Sequence, residues 1–159
     1  MVAQGVGVAA TIRVSHQYGE RRFADARKAG FAASHISIVL MAMAGITFII
    51  FNDVIPYIFT NDPQVVDIAA KLLYVAAAFQ LFDAVQLSAL ASLRALADVK
   101  WPLITSLISY YVVGLPFAYF AGSCFGWGPV GVWIGLLLGL MLAAILFIYR
   151  FNKLTKNFI

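Results

Sequence analysis

One aspartate stands inside a long apolar run. Asp83 is the only charged residue between Lys71 and Arg94, and Gln80 and Gln86 stand three residues to either side of it. A helix advances about 100° per residue, so the three side chains fall within one polar stripe. Leu81, Val85 and Leu87 point elsewhere. An aspartate at the centre of a bilayer costs roughly 2.5–3.5 kcal/mol on insertion scales. Such a residue faces a bundle interior or a wet cavity and is a functional candidate. A low dielectric disfavours the charged carboxylate, which suits proton binding. An ionised Asp83 would instead hold Na⁺ through oxygen ligands. The bland reading beside this one is a hydrogen-bond anchor between helices. Gln80 and Gln86 carry the same two readings, cavity lining or interhelical glue.

A second polar set follows, with Thr105, Ser106, Ser109, Tyr110 and Tyr111 ahead of Gly114 and Pro116. Tyr110 joins the two glutamines as a candidate to line a cavity. Pro116 is expected to kink its helix and free a backbone carbonyl. That bend would serve gating or be purely structural. His35, beside Ser34, reads as an interfacial histidine. The chain has no HExxH, no GxSxG and no pair of cysteines. Metal-ligating and nucleophilic chemistry are therefore not expected, nor is an enzyme. The glycines between Gly122 and Gly135 lack the Lys-Ser/Thr of a phosphate loop. Cys124 reads as a small apolar filler, and as the single cysteine it excludes an internal disulfide.

Something must position these side chains, and composition says what. Hydrophobic residues make up 63% of the 159 residues and charged residues 11%. Soluble domains run about 45–50% apolar and about 25% charged. The mean hydropathy of +0.91 agrees. A soluble fold of this length has too much surface to hide so many apolar groups. Disorder, collagen-like repeats, coiled coil and a disulfide scaffold are excluded as well. The reading is an all-α integral membrane protein.

The uncharged runs then define spans. Residues 1–12 are too short to cross about 30 Å of hydrocarbon. With no basic residue before them and a basic cluster after, they read as the later half of a membrane helix, over about 1–18. Residues 13–28 read as a short basic loop. Ala29 to Asn52 carries no charge, giving a span over about 30–52. Residues 53–66 hold Pro56, Pro63 and exposed-looking apolar groups, which suggests a segment lying in the interface plane. Thr60 or Asn61 would cap the next span, about 67–92. From Trp101 to Tyr149 there is again no charge, enough for two spans, about 102–121 and 131–149. The glycine-rich stretch 122–131, with Pro129, is the turn between them. Gly131, Gly135 and Gly139 are spaced by four, a helix-packing face. The stretch 150–159 reads as a tail.

Charge fixes the orientation. Of the eleven Lys and Arg, all but Lys71 lie in 13–28, 93–100 and the tail, which alternate with the other connections. By the positive-inside rule these regions and the C-terminus are cytoplasmic. The net charge of +4 is thus a topology signal, and nucleic acid is not an expected partner.

Between Phe79 and Leu140 stand an Asp then a Gln in a span, LR before a short loop, SYYVVGLP and GPVGVWIG. With these pieces in this order the stretch resembles the C-terminal part of MATE (multidrug and toxic compound extrusion) transporters. Ahead of it, ATIRVSHQYGE resembles that family's A-x-RV-x-x-x-G element. The resemblance implies a twelve-helix, two-lobed fold with a central cavity. It implies export of organic cations, often aromatic drugs, in exchange for Na⁺ or H⁺. Residues 1–159 would then be part of the C-terminal lobe, from the end of helix eight to helix twelve. They would sit in the plasma (inner) membrane, and the N-terminal lobe would be the partner that completes the cavity. By the same resemblance the acidic residue of helix ten, here Asp83, takes part in cation coupling. Phe79 stands where some Na⁺-coupled members have a Tyr, which leaves Na⁺ and H⁺ both open.

Three other classes compete with this reading. A lipid-linked sugar flippase would want cations in its spans for phosphate, and only Lys71, at an edge, is present. A small membrane scaffold or assembly subunit would use Asp83 as an interhelical contact. An intramembrane enzyme lacks a second acidic or nucleophilic group at membrane depth.

Overall fold

The fold was obtained as a computed structural model describing residues 2–157. Met1 and residues 158–159, at the outer limits of the expected first helix and tail, lie outside the described residues. Among them every regular element is helical: α1 (Val2–Gly19), α2 (Phe23–Ile50), a 3₁₀ turn (Ile55–Ile58), α3 (Pro63–Ala95), α4 (Lys100–Leu107), α5 (Leu115–Tyr119) and α6 (Gly128–Asn157). Ile108–Gly114 and Phe120–Cys124 are π-helical and join α4 and α5 into one rod. Four helices are long and apolar enough to cross a membrane: Phe23–Ile50, Pro63–Ala95, Lys100–Cys124 and Gly128–Lys156. α3 is the central element and packs on α1, α2 and α6.

The helices run further into the charged stretches than the apolar runs suggest. Arg13 lies inside α1, and Arg27 and Lys28 inside α2, so the expected basic loop shrinks to a turn at Glu20–Arg22. Arg and Lys are good helix formers, and a long helix carries them past the hydrocarbon. The turn itself is compact. The N–H of Arg22 bonds the carbonyl of Gln17 at 2.9 Å, and that of Arg21 bonds Tyr18 at 3.1 Å. This is a Schellman closure with Arg21 in the left-handed position, φ 59°. The turn after α3 repeats it, with Asp98 to Leu93 and Ala97 to Arg94, each 3.0 Å, and Ala97 at φ 60°.

A Cβ in that conformation costs roughly 1 kcal/mol, and glycine removes the cost. Ala97→Gly is therefore expected to raise the melting temperature of the detergent-solubilised protein by a few degrees. A fall would show that the turn tolerates alanine without strain.

The start of α3 is capped by Asp62, not by Thr60 or Asn61. Its Oδ1 accepts from the N–H of Gln64 at 2.9 Å, and Pro63 occupies the first turn. Thr60 Oγ1 accepts instead from the N–H of Asp62 at 3.2 Å. The tail is also corrected. α6 continues through Asn157 because its far end belongs to the core. Phe147 and Phe151 are buried with Val14, Ala26, Ala89, Leu93 and Leu96 at the basic end of the bundle. Arg150 Nε meets Asp98 Oδ2 at 2.8 Å and its guanidinium lies over the Trp101 ring. Cys124 is exposed, so it fills no core space.

The glycine stripe of α6 faces the α4–α5 rod. A Cβ on Gly135 would stand 2.3 Å from Ala118 N, and one on Gly131 would stand 2.7 Å from the Ala121 carbonyl. One on Gly139 would stand 2.9 Å from Ser109 O. The two backbones therefore touch along the stripe, as small-xxx-small packing requires.

Candidate functional site

α3 carries the acidic centre. Asp83 is partly buried and accepts no hydrogen bond among the described residues. The helix extends beyond the expected 67–92, so Asp83 lies nearer its basic end. It is about 18 Å along the axis from Ala95 and about 30 Å from Pro63.

Gln86, one turn on, is 9% exposed, and its Oε1 accepts from the Tyr110 hydroxyl at 2.9 Å. This bond joins α3 to the π segment of the neighbouring rod. Asp83 stands one turn before that bond on α3. On the other side of Asp83, Gln80 has its Oε1 buried with no hydrogen-bond partner, as has the Oγ of Ser109 next to Tyr110.

The local sequence explains why Tyr110 sits on a π turn. Pro116 has no N–H for the carbonyl four residues back, and its ring crowds that carbonyl. The chain widens ahead of it, so the Leu115 N–H bonds the Tyr110 carbonyl, five residues back. Such bulges occur often at functional sites. Pro116 itself is exposed in the first turn of α5. It takes no part in the Gln86–Tyr110 bond. Phe79 packs edge-on against Trp133 of α6, ring centroids 5.7 Å apart, and offers no oxygen.

Asp83 can do two things chemically. An unpartnered carboxylate can take up a proton. It can also hold a monovalent cation with help from amide and hydroxyl oxygens. Among the described residues no group of three or more His, Cys, Asp or Glu side chains could hold a metal ion.

Sequence reasoning missed two side-chain ties that hold α3, one to α2 and one to the turn after it. Ser88 Oγ donates to Ser34 Oγ at 3.0 Å, and Asn52 Nδ2 donates to Tyr74 Oη at 2.8 Å. Small hydroxyls at membrane depth were the available signal for the first.

Tyr110→Phe is expected to cost about 0.5–1.5 kcal/mol, the range for an interhelical hydrogen bond in a membrane protein. In a double-mutant cycle with Gln86→Leu the two losses should fall well short of additive. Full additivity would mean that the bond carries no energy.

A family model described as MatE matches residues 1–120. A probable multidrug resistance protein NorM of Rhodopseudomonas palustris is 38% identical over 161 residues, covering 99% of this chain and 34% of that protein. A second, of Acinetobacter baylyi, is 38% identical over 96% of this chain and 34% of that protein. The multidrug resistance protein NorM of Photobacterium profundum is 34% identical over 94% of this chain, again 34% of that protein. The chain thus spans about a third of the length of these curated relatives. Two solved structures share the fold. The eukaryotic MATE transporter AtDTX14 superposes with a TM-score of 0.87 at 24% identity, over 99% of this chain and 36% of that one. An inward-facing multidrug resistance MATE transporter gives 0.86 at 21% identity, over 96% and 35%.

Proposed function

The chain belongs to the MatE family, and from that premise we propose that it is part of a cation-coupled multidrug efflux antiporter. In this reading residues 1–159 supply part of the C-terminal lobe, and the N-terminal lobe completes a cavity for organic cations. Asp83 is the coupling residue, taking up H⁺ or Na⁺. Gln80, Gln86 and Tyr110 line the cavity beside it, and the π-widened, proline-bearing rod takes part in the movement. The protein sits in the plasma (inner) membrane with its basic end and C-terminus cytoplasmic, as the distribution of Lys and Arg favours.

The observation that carries the proposal is Asp83 itself. It is an acidic group in a membrane-length helix, unbonded, beside a Gln86–Tyr110 bond that ties two helices. A change of its charge state alters the electrostatics of that junction directly. Coupling follows when drug and cation stabilise different arrangements of the same helices. The multidrug resistance names of the curated relatives support the choice of cargo.

The test is transport by the full-length protein that contains this chain, reconstituted in liposomes. Ethidium should move across the membrane against an opposing Na⁺ or H⁺ gradient. No ethidium movement under either gradient would overturn the proposal.

A further inference from the structure

A groove of about 430 Å³ runs between α1 and α2, outside the Asp83 group. Its floor is apolar and made of small residues, among them Ala29, Ala32 and Ala33, with Val6 and Ile36 toward the membrane interior. Its other end carries Arg13 and Lys28. Both are exposed, and neither has an ion-pair partner among the described residues. Asp25, the acidic residue of the groove, is already held by Arg22, at 2.8 Å from Nη2 and 3.0 Å from Nε. Gln17 also lines the groove, and its Oε1 is buried without a hydrogen-bond donor.

We propose that this groove binds an anionic phospholipid with a hydroxyl-bearing headgroup, of the phosphatidylglycerol type. Each end of the groove matches one end of that molecule. The alanine floor leaves a channel that an acyl chain fills with no polar group to desolvate. Arg13 and Lys28 lie about two turns or less from the helix ends at the basic side of the bundle, the depth of headgroup phosphates. Two free cations there favour a net negative lipid over a zwitterionic one. The headgroup glycerol supplies the O–H that the Gln17 oxygen lacks. Phosphatidylcholine has neither the net charge nor the donor. The inference needs that the groove between these helices faces lipid in the full-length protein, and it is independent of the antiport reading.

Native mass spectrometry of the full-length protein tests it, with phosphatidylglycerol and phosphatidylcholine titrated in parallel. The unaltered protein should retain phosphatidylglycerol about thirtyfold better, from two basic residues near the surface at about 1 kcal/mol each. R13Q/K28Q should erase that preference, while R21Q, on the turn outside the groove, should keep it. Ala32→Leu, which fills the floor and leaves the charges, should weaken retention of phosphatidylglycerol. All four altered positions are exposed, and an unchanged thermal unfolding curve would report intact folding. Equal retention of the two lipids would overturn the proposal. So would an intact preference in R13Q/K28Q, or displacement of the lipid by millimolar inorganic phosphate.

Discussion

Asp83→Asn in the full-length protein is expected to lower drug–cation exchange about a hundredfold and to leave membrane insertion and folding intact. The magnitude is that of a coupling free energy of 1–3 kcal/mol, here lost outright. The substitution keeps the size and shape of the side chain. It removes the group that can be charged or neutral, so the helix junction has only one electrostatic state. The folding half of the expectation follows from the unbonded carboxylate. No hydrogen bond among the described residues is broken, and a charge at membrane depth is exchanged for a neutral amide. Drug resistance of a strain expressing the variant, measured beside the amount of protein in the membrane, separates the two effects. Resistance at the unaltered level would remove Asp83 from the mechanism. A loss of folded protein would make Asp83 the interhelical anchor of a scaffold.

Gly135→Leu should be the most damaging substitution in the α6 stripe. A Cβ alone would stand 2.3 Å from Ala118 N and 2.4 Å from Ala118 Cα. Both obstacles are backbone, so no side chain can swing away. The α4–α5 rod must move off α6 as a body, and contacts at Gly131 and Gly139 open with it. Overpacking a core costs about 1–3 kcal/mol where side chains can adjust, and here they cannot. A loss above about 3 kcal/mol is expected, enough to remove most folded protein from detergent extracts. Gly5→Ala is the control, since nothing lies within 4 Å of that position. It should be neutral or gain up to about 1 kcal/mol from helix propensity. Monodisperse, thermally normal Gly135→Leu protein would contradict the packing described.

These positions also show what a sequence carries. The stripe at Gly131, Gly135 and Gly139 was legible because a spacing of four is a helix face by geometry. The Gln80, Asp83 and Gln86 positions, spaced by three on α3, stood out for their polar character in an apolar run. The partner of Gln86 did not. Tyr110 announced itself only as a polar residue in an apolar run. Its pairing depends on the widened turn ahead of Pro116, and a regular helix would have placed it differently. Helix limits were least legible where charge ended the apolar runs. Charge marks where hydrocarbon stops, while the helix continues until its last carbonyls are satisfied, as at Gln17 and Tyr18. Phe151 shows the same for α6. A stretch that reads as a tail is held by an aromatic ring against Gly30, with Phe151 Cζ where a Cβ of that glycine would stand 2.4 Å away.

Ion release on drug binding tests the coupling role of Asp83 most directly. Purified full-length protein in weakly buffered detergent solution would be mixed with tetraphenylphosphonium. A pH indicator would report protons, and a parallel sample loaded with radiolabelled Na⁺ would report sodium. Coupling through Asp83 requires that the drug displace one of the two ions from the unaltered protein and neither from Asp83→Asn. Equal ion release from both proteins, or drug binding with no release from either, would contradict it.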